Sequence, residues 1–120
     1  MEARKKVLVL DDEPDICDVL REVLEMEGFD VSTATHSERA MELARANPFD
    51  IAVLDVILKN DINGVEVFKK LKSFSPDTKT VIMTAFSVQS LLDEAISEGA
   101  VATLRKPLSL GSFIRMLDTL

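Results

Sequence analysis

The stretch VLVLDD at residues 7–12 decides the fold of this chain, because an uninterrupted apolar run ends abruptly in two acids. A run of leucine and valine is typical of a strand that is buried on both faces of a parallel sheet. Three further runs end in polar residues: IAVL at 51–54 before Asp55, VIM at 81–83 before Thr84, and ATL at 102–104 before Arg105 and Lys106. If all four runs are parallel strands, their polar ends meet at the carboxyl edge of one sheet, where ligands bind in such folds.

Helical patterns fill the segments between these runs. With one further strand, the strands are predicted over residues 7–10, 29–34, 51–55, 80–85 and 100–104. Gly28 and Gly99 are natural helix ends. Thr35 or Ser37 is expected to cap the second helix, and Ser87 the fourth. Five strand–helix units with short connections predict one doubly wound α/β domain over residues 1–120, with helices on both faces of a parallel five-stranded sheet.

Composition narrows the class of function. The net charge of −7 argues against nonspecific binding to nucleic acid or to anionic membranes. The single cysteine, Cys17, excludes an internal disulfide and is expected to pack on the first helix. His36 is expected in a surface loop. Since the first apolar run is too short for a signal peptide or a membrane span, the sequence predicts a cytoplasmic protein.

The residues at the strand ends suggest phosphoryl transfer. Two ionised carboxylates ~4 Å apart cost about 4 kcal/mol at an effective dielectric of 20, so Asp11, Asp12 and Asp55 call for a cation. Oxygen ligands of this kind suit Mg²⁺. A third carboxylate is then available as a nucleophile that accepts a phosphoryl group. Lys106 and Thr84 would contact the charged oxygens of that group.

Four motifs follow one another along the chain: VLVLDDEPDI at 7–16, IAVLDV at 51–56, VIMTA at 81–85 and RKP at 105–107. In this order and spacing they resemble the receiver domain of two-component response regulators, as in the chemotaxis regulator. The resemblance covers essentially the whole chain. It implies a flavodoxin-like fold with strand order 2-1-3-4-5, and a phosphoacceptor switch rather than a metabolic enzyme.

The resemblance also assigns the metal ligands. It implies that Asp55 is the phosphorylated residue and a ligand of Mg²⁺. Asp12 would bind the metal directly, whereas Asp11 would act largely through water. The backbone carbonyl of Ile57, two residues past the acceptor, would be a further ligand.

The resemblance further implies the remaining contacts and the partners. Thr84 and Lys106 would touch the phosphoryl oxygens, and Pro107 would follow a cis peptide bond. The phosphodonor would be a phosphohistidine on a sensor histidine kinase or a phosphotransfer protein, and slow autodephosphorylation would end the signal. Phosphorylation would change a surface near the fourth helix, the fifth strand and the fifth helix. A downstream effector, a fused output domain or a second copy of the chain would read that surface, and DNA binding would need another domain.

The segment after Asp55 departs from the family pattern. Lys59 occupies the fourth position after the acceptor, where family members commonly have proline. The glycine that usually comes eight residues after the acceptor comes nine residues after it, at Gly64. The loop is therefore expected to contain one extra residue and to lack its proline.

The switch and the rim of the site also differ from the pattern. Thr103 stands where the family usually has an aromatic residue that moves inward together with Thr84. The aromatic part of the switch cannot operate in its usual form here. Ile57 and Phe86 are apolar and are expected to flank the phosphate. Our hypothesis is that they exclude water and slow autodephosphorylation.

Three alternatives compete with a phosphorylated receiver. The first is a pseudo-receiver, an interaction module that is not regulated by phosphorylation. The second is an aspartyl-phosphate hydrolase, which should have an aspartate where Ile57 stands. The third is a flavin-binding protein, but the acids at residues 11–13 would repel its phosphate, and the chain has neither Trp nor Tyr for the ring.

Overall fold

The computed structural model describes residues 4–120, in which five strands alternate with five helices. The strands are β1 (Lys6–Leu10), β2 (Asp30–Ala34), β3 (Ile51–Asp55), β4 (Lys79–Thr84) and β5 (Ala102–Arg105). The helices are α1 (Pro14–Met26), α2 (Ser37–Ala46), α3 (Gly64–Phe74), α4 (Gln89–Ser97) and α5 (Leu110–Asp118). The strands form one parallel sheet in the order β2-β1-β3-β4-β5. The predicted fold and strand order are confirmed.

Helices cover the sheet on both faces, which explains why the middle of each central strand is apolar. Leu8 and Leu10 of β1 belong to the core beneath α2, α3 and α4, and they are fully buried. Val7 and Val9 point the other way, into the core beneath α1 and α5. Successive side chains of a strand face opposite sides, so a strand covered on both sides needs apolar residues at every position.

The parallel arrangement brings the polar strand ends to one edge of the sheet. In the central pair of strands, Leu10 of β1 lies opposite Leu54 of β3, so the residues that follow them emerge side by side. β5 is an edge strand, and its side chains are half-buried or exposed. It runs over 102–105 rather than the predicted 100–104, because the Ala100 amide still bonds to the carbonyl of Ala95 in α4 and pairing with β4 begins only at Ala102.

The helix ends agree only partly with the sequence prediction. Gly28 and Gly99 have positive φ angles after α1 and α4, as expected for glycines that end helices. The predicted caps are wrong at α2, where the exposed His36 accepts a hydrogen bond at Nδ1 from the Arg39 amide, at 3.3 Å. Ser87 does not cap α4 either: its hydroxyl accepts a bond from the guanidinium of Arg105 instead.

No helix within residues 4–120 combines the length and the apolar character needed to cross a membrane.

Candidate functional site

Three carboxylates gather at the carboxyl edge of the sheet. Asp11 follows β1, and Asp55 is the last residue of the neighbouring β3. Their exposed fractions are 0% and 4%, which is unusual for acids, whereas the neighbouring Asp12 is half-buried. Each of the three residues offers an oxygen, and these oxygens lie within 4.8 Å of one another. The sequence prediction that these acids converge agrees with this geometry.

Lys106 supplies the positive charge that faces two of these acids. Its Nζ lies 2.5 Å from Oδ2 of Asp11 and 2.9 Å from Oδ2 of Asp55. The backbone holds the lysine in place, since its amide donates to the carbonyl oxygen of Thr84 at 2.8 Å. The following peptide bond, to Pro107, is cis, as the resemblance implied. One ammonium among three carboxylates leaves the cluster short of positive charge.

The pKa shifts of Asp55 and Lys106 reflect their burial and their contacts with each other and with Asp11. Burial raises the pKa of Asp55 from an ordinary value of 3.8 to about 6, although the hydrogen bond and the charge of Lys106 act in the opposite direction. Nearby Asp11 adds to the increase through repulsion. Burial alone would lower the pKa of the Lys106 ammonium, but its bonds to Asp11 and Asp55 outweigh burial and raise that pKa. Further positive charge at this site would therefore stabilise the ionised acids.

The donor set suits a hard divalent cation. Carboxylate oxygens are the ligands that Mg²⁺ prefers, and a metal that keeps several waters suits a site in which Asp12 remains half-exposed. Asp11 accepts a hydrogen bond from the Glu13 amide at Oδ1, at 2.9 Å, which fixes the carboxylate. Asp12 accepts one at Oδ2 from the Lys59 amide, at 3.0 Å. Such bonds behind metal ligands orient them.

The extra residue is predicted in the segment between β3 and α3, residues 56–63. The half-buried Ile57 of this segment lies in the chain between Asp55 and Lys59, whose amide contacts Asp12. The loop turns at Asn60, whose φ of 56° is the positive value that asparagine tolerates better than most residues. The loop therefore contains a left-handed turn one residue after Lys59.

Gly64 closes this loop against the backbone of Asp55. Its amide donates to the carbonyl of Val56 at 2.8 Å. A Cβ on Gly64 would lie 2.1 Å from the backbone oxygen of Asp55 and 2.8 Å from the backbone carbon. Only glycine fits at this close approach. Sequence reasoning noted the shifted position of Gly64 but missed this contact, because no local pattern shows which backbone lies beside it.

The two threonines are placed differently. Thr84 ends β4 and is 1% exposed. Its hydroxyl accepts a bond from the Phe86 amide at 3.0 Å and lies 3.2 Å from the Phe86 carbonyl oxygen. It is engaged with the β4–α4 loop, and its contact with a phosphoryl group stays a prediction. Thr103 lies half-buried in β5 opposite Ile82, apart from the acids, and its role in switching also stays a prediction.

Cys17 lies on α1 within the fold, as expected. The side chain is buried, and its thiol donates to the carbonyl oxygen of Asp11 at 3.3 Å. Burial raises the pKa of the thiol to about 11, and the negative charge of Asp11 adds to the increase. A buried, protonated thiol is a poor nucleophile, and Cys17 contacts the backbone beside the acids through this bond.

Comparison with known proteins gives the same assignment. A family model described as the response regulator receiver domain matches residues 7–118. The transcriptional regulatory protein ZraR from Klebsiella oxytoca is 34% identical over 102 residues, which are 85% of this chain and 23% of that protein. The chain spans about a quarter of the length of the curated relatives it matches.

Solved structures extend the likeness to the fold. A CheY-like response regulator receiver domain protein from Methanospirillum hungatei superposes with a TM-score of 0.93 at 23% identity, covering 98% of this chain and 93% of its own. A response regulator from Burkholderia pseudomallei, solved with a phosphorylated aspartic acid, a calcium ion and citrate, gives a TM-score of 0.86 at 29% identity. It covers 92% of this chain and 64% of its own. The chain therefore belongs to the receiver domain family of response regulators.

Proposed function

We propose that this domain is a phosphoacceptor switch in which Asp55 receives a phosphoryl group from a phosphohistidine of a kinase or phosphotransfer protein. A carboxylate oxygen of Asp55 attacks phosphorus, a P–O bond forms, and the P–N bond to the donor histidine breaks. The observation that carries this proposal is the buried Asp55 carboxylate, with Lys106 at 2.9 Å and the oxygens of two more acids beside it. The phosphorylated aspartic acid in the Burkholderia relative supports it.

The residues of the site divide the work of transfer. Asp11, Asp12 and Asp55, with the backbone carbonyl of Ile57, would hold Mg²⁺, which supplies positive charge for the transferred oxygens. Lys106 already contacts the acceptor and would remain beside the group attached to it. Phosphoryl transfer depends mainly on positioning and on neutralising charge, so these fixed groups suffice without a general base.

The Thr84 hydroxyl would complete the phosphate contacts by exchanging its bonds with Phe86 for one with the phosphoryl group. Because those bonds hold the start of the β4–α4 loop, the exchange would transmit phosphorylation to that loop and to α4. Val101, just before β5, and Ile96 of α4 are 45% and 49% exposed. A surface near α4, β5 and α5 would then be read by an effector, an attached output domain or a second copy of the chain. Because Thr103 stands in place of the aromatic residue that moves inward in the family, it would have to follow this movement by a change of packing in β5.

Mass spectrometry tests the proposal directly. The protein is incubated with Mg²⁺ and acetyl phosphate, and its intact mass is compared with that of Asp55→Asn. A gain of one phosphoryl group in the unaltered protein but not in the variant supports the proposal. No gain would instead favour the pseudo-receiver, an alternative that gains no support from the comparisons. A gain of the same size in Asp55→Asn would place the acceptor elsewhere.

A further inference from the structure

The β3–α3 loop is held at two points that are separated by one residue. On one side, the Lys59 amide donates to Oδ2 of Asp12 in the acid cluster. On the other side, Asp61 contacts the first residue of α2, Ser37. Only Asn60 lies between them, and its φ of 56° marks a tight left-handed turn. A displacement of Asp61 would therefore move Lys59 as well, because only one residue in a tight turn separates them.

Asp61 is the best anchored polar side chain of this loop. Its Oδ2 accepts from the Ser37 amide at 2.7 Å, and its Oδ1 accepts from the Ser37 hydroxyl at 2.5 Å and from the Ile62 amide at 2.8 Å. Partial burial disfavours its charged form, but the hydroxyl and the amide of Ser37 hold the pKa of this carboxyl below its ordinary value. The carboxylate also meets the positive end of the α2 dipole. The loop is thereby tied to a helix that does not itself touch the acids.

A third contact, at Gly64, holds the end of the loop beside Asp55. Gly64 packs against the backbone of Asp55 and bonds to Val56, which fixes the end of the loop where α3 begins. Before Asn60, buried Leu58 packs into the core and the Lys59 amide bonds to Asp12. Beyond Asn60, the bonds of Asp61 to Ser37 hold the outer part of the loop to α2.

We propose that Asp61 is a positioning residue for the metal site: through Asn60 and Lys59 it fixes the carboxylate of Asp12 and the backbone at Ile57. The inference rests on the proposed function, because it concerns the Mg²⁺ that phosphorylation requires. Residues behind metal ligands change metal affinity without touching the metal.

Direct titration with Mg²⁺ tests this inference without any phosphodonor. The chain has no Trp, so binding is followed by the amide resonances of Lys59 and Gly64 in ¹⁵N-labelled protein. We expect Asp61→Ala to weaken Mg²⁺ binding by about 10-fold, the lower end of the effect of such supporting residues. Asp61→Asn, whose amide oxygen still accepts from Ser37, should recover part of the affinity. Asp77→Ala, an exposed acid in the α3–β4 turn, is the matched control for lost charge.

A second variant separates this tie from a general loss of structure. Ser37→Ala removes the hydroxyl but keeps the amide, so its effect should be smaller, and Ser37→Ala added to Asp61→Ala should weaken binding by less than twofold more. The inference is overturned if folded Asp61→Ala binds Mg²⁺ within twofold of the unaltered protein, or if Asp77→Ala weakens binding equally. It is also overturned if the unaltered protein binds no Mg²⁺. Failure of acetyl phosphate to modify a protein that does bind Mg²⁺ would instead refute the proposed function.

Discussion

Gly64→Ala is the sharpest test of how the fold supports Asp55, the proposed acceptor. The added Cβ would lie 2.1 Å from the backbone oxygen of Asp55, whereas Cβ atoms are essentially never found within 3.0 Å of another heavy atom. The added Cβ and the Asp55 oxygen must therefore separate by at least 0.9 Å, the difference between 3.0 and 2.1 Å. Both partners of this clash are backbone, so no side chain can rotate away. The start of α3 or the end of β3 must move.

The magnitude follows from two opposing effects. Alanine in a helix is favoured over glycine by roughly 0.5–1 kcal/mol. Overpacking in a rigid environment costs typically ~1–3 kcal/mol and occasionally more, and a backbone clash belongs to the upper part of that range. We therefore expect Gly64→Ala to lower the free energy of unfolding by about 1–3 kcal/mol. Its rate of modification by acetyl phosphate should fall as well, because the displaced backbone includes that of Asp55.

Gly111→Ala is the matched control, since it also alters the first turn of a helix. Its added Cβ would meet nothing closer than the Arg115 guanidinium, at an ordinary contact distance of 3.5 Å. Stability should therefore stay the same or rise by up to about 1 kcal/mol. Urea unfolding followed by circular dichroism gives both values. If Gly64→Ala were as stable as Gly111→Ala and were phosphorylated at the unaltered rate, the reasoning from the close contact would be refuted.

Three further predictions concern the charges and the rim of the site. In Mg²⁺-free buffer, burial raises the pKa of Asp55 from 3.8 to about 6, so its protonated form favours folding, and stability falls as the pH rises through about 6. In urea titrations, the free energy of unfolding of Asp55→Asn should therefore exceed that of the unaltered protein by roughly 1–3 kcal/mol at pH 7, with no difference below pH 4. A variant that is less stable at pH 7 would contradict this expectation. Lys106→Met leaves the buried acids Asp11 and Asp55 without their cation, so it should lower the free energy of unfolding by about 3–5 kcal/mol, and Mg²⁺ should restore part of this loss. An equal loss with and without Mg²⁺ would argue against a metal site at these acids. Polar replacement of Ile57 or Phe86 should shorten the lifetime of the phosphorylated form, measured by the decay of its mass signal. The effect should be larger at half-buried Ile57, because Phe86 is 57% exposed. Unchanged lifetimes at both positions would refute the water-exclusion hypothesis.

Sequence reasoning succeeded wherever a local pattern has one physical meaning. A run such as residues 7–10, apolar at every position, fits only an element that is buried on both faces, and a parallel sheet follows from helices placed between such runs. The polar residues that end the runs then meet at one edge, because parallel strands all finish there. Asp11, Asp55 and Lys106 could be placed together for this reason, and they do contact one another.

The caps and the loop could not be read in the same way. Thr35 and His36 precede α2 and Ser37 begins it, and His36 is the cap, since the Asp61 carboxylate binds both the amide and the hydroxyl of Ser37. That carboxylate comes from 24 residues further along the chain. A cap chosen by a distant side chain has no signal in the neighbouring sequence.

By itself, then, the sequence determined the sheet, its order of elements and the identity of the residues at its polar edge, because burial and strand direction are set by local composition. Tertiary structure alone decided how that edge is supported. Gly64 lies against the Asp55 backbone, Asp61 reaches α2, and the Lys59 amide meets Asp12. Each of these contacts joins segments from different elements, so their geometry exists only once the chain has packed, and it governs how firmly the acids are held.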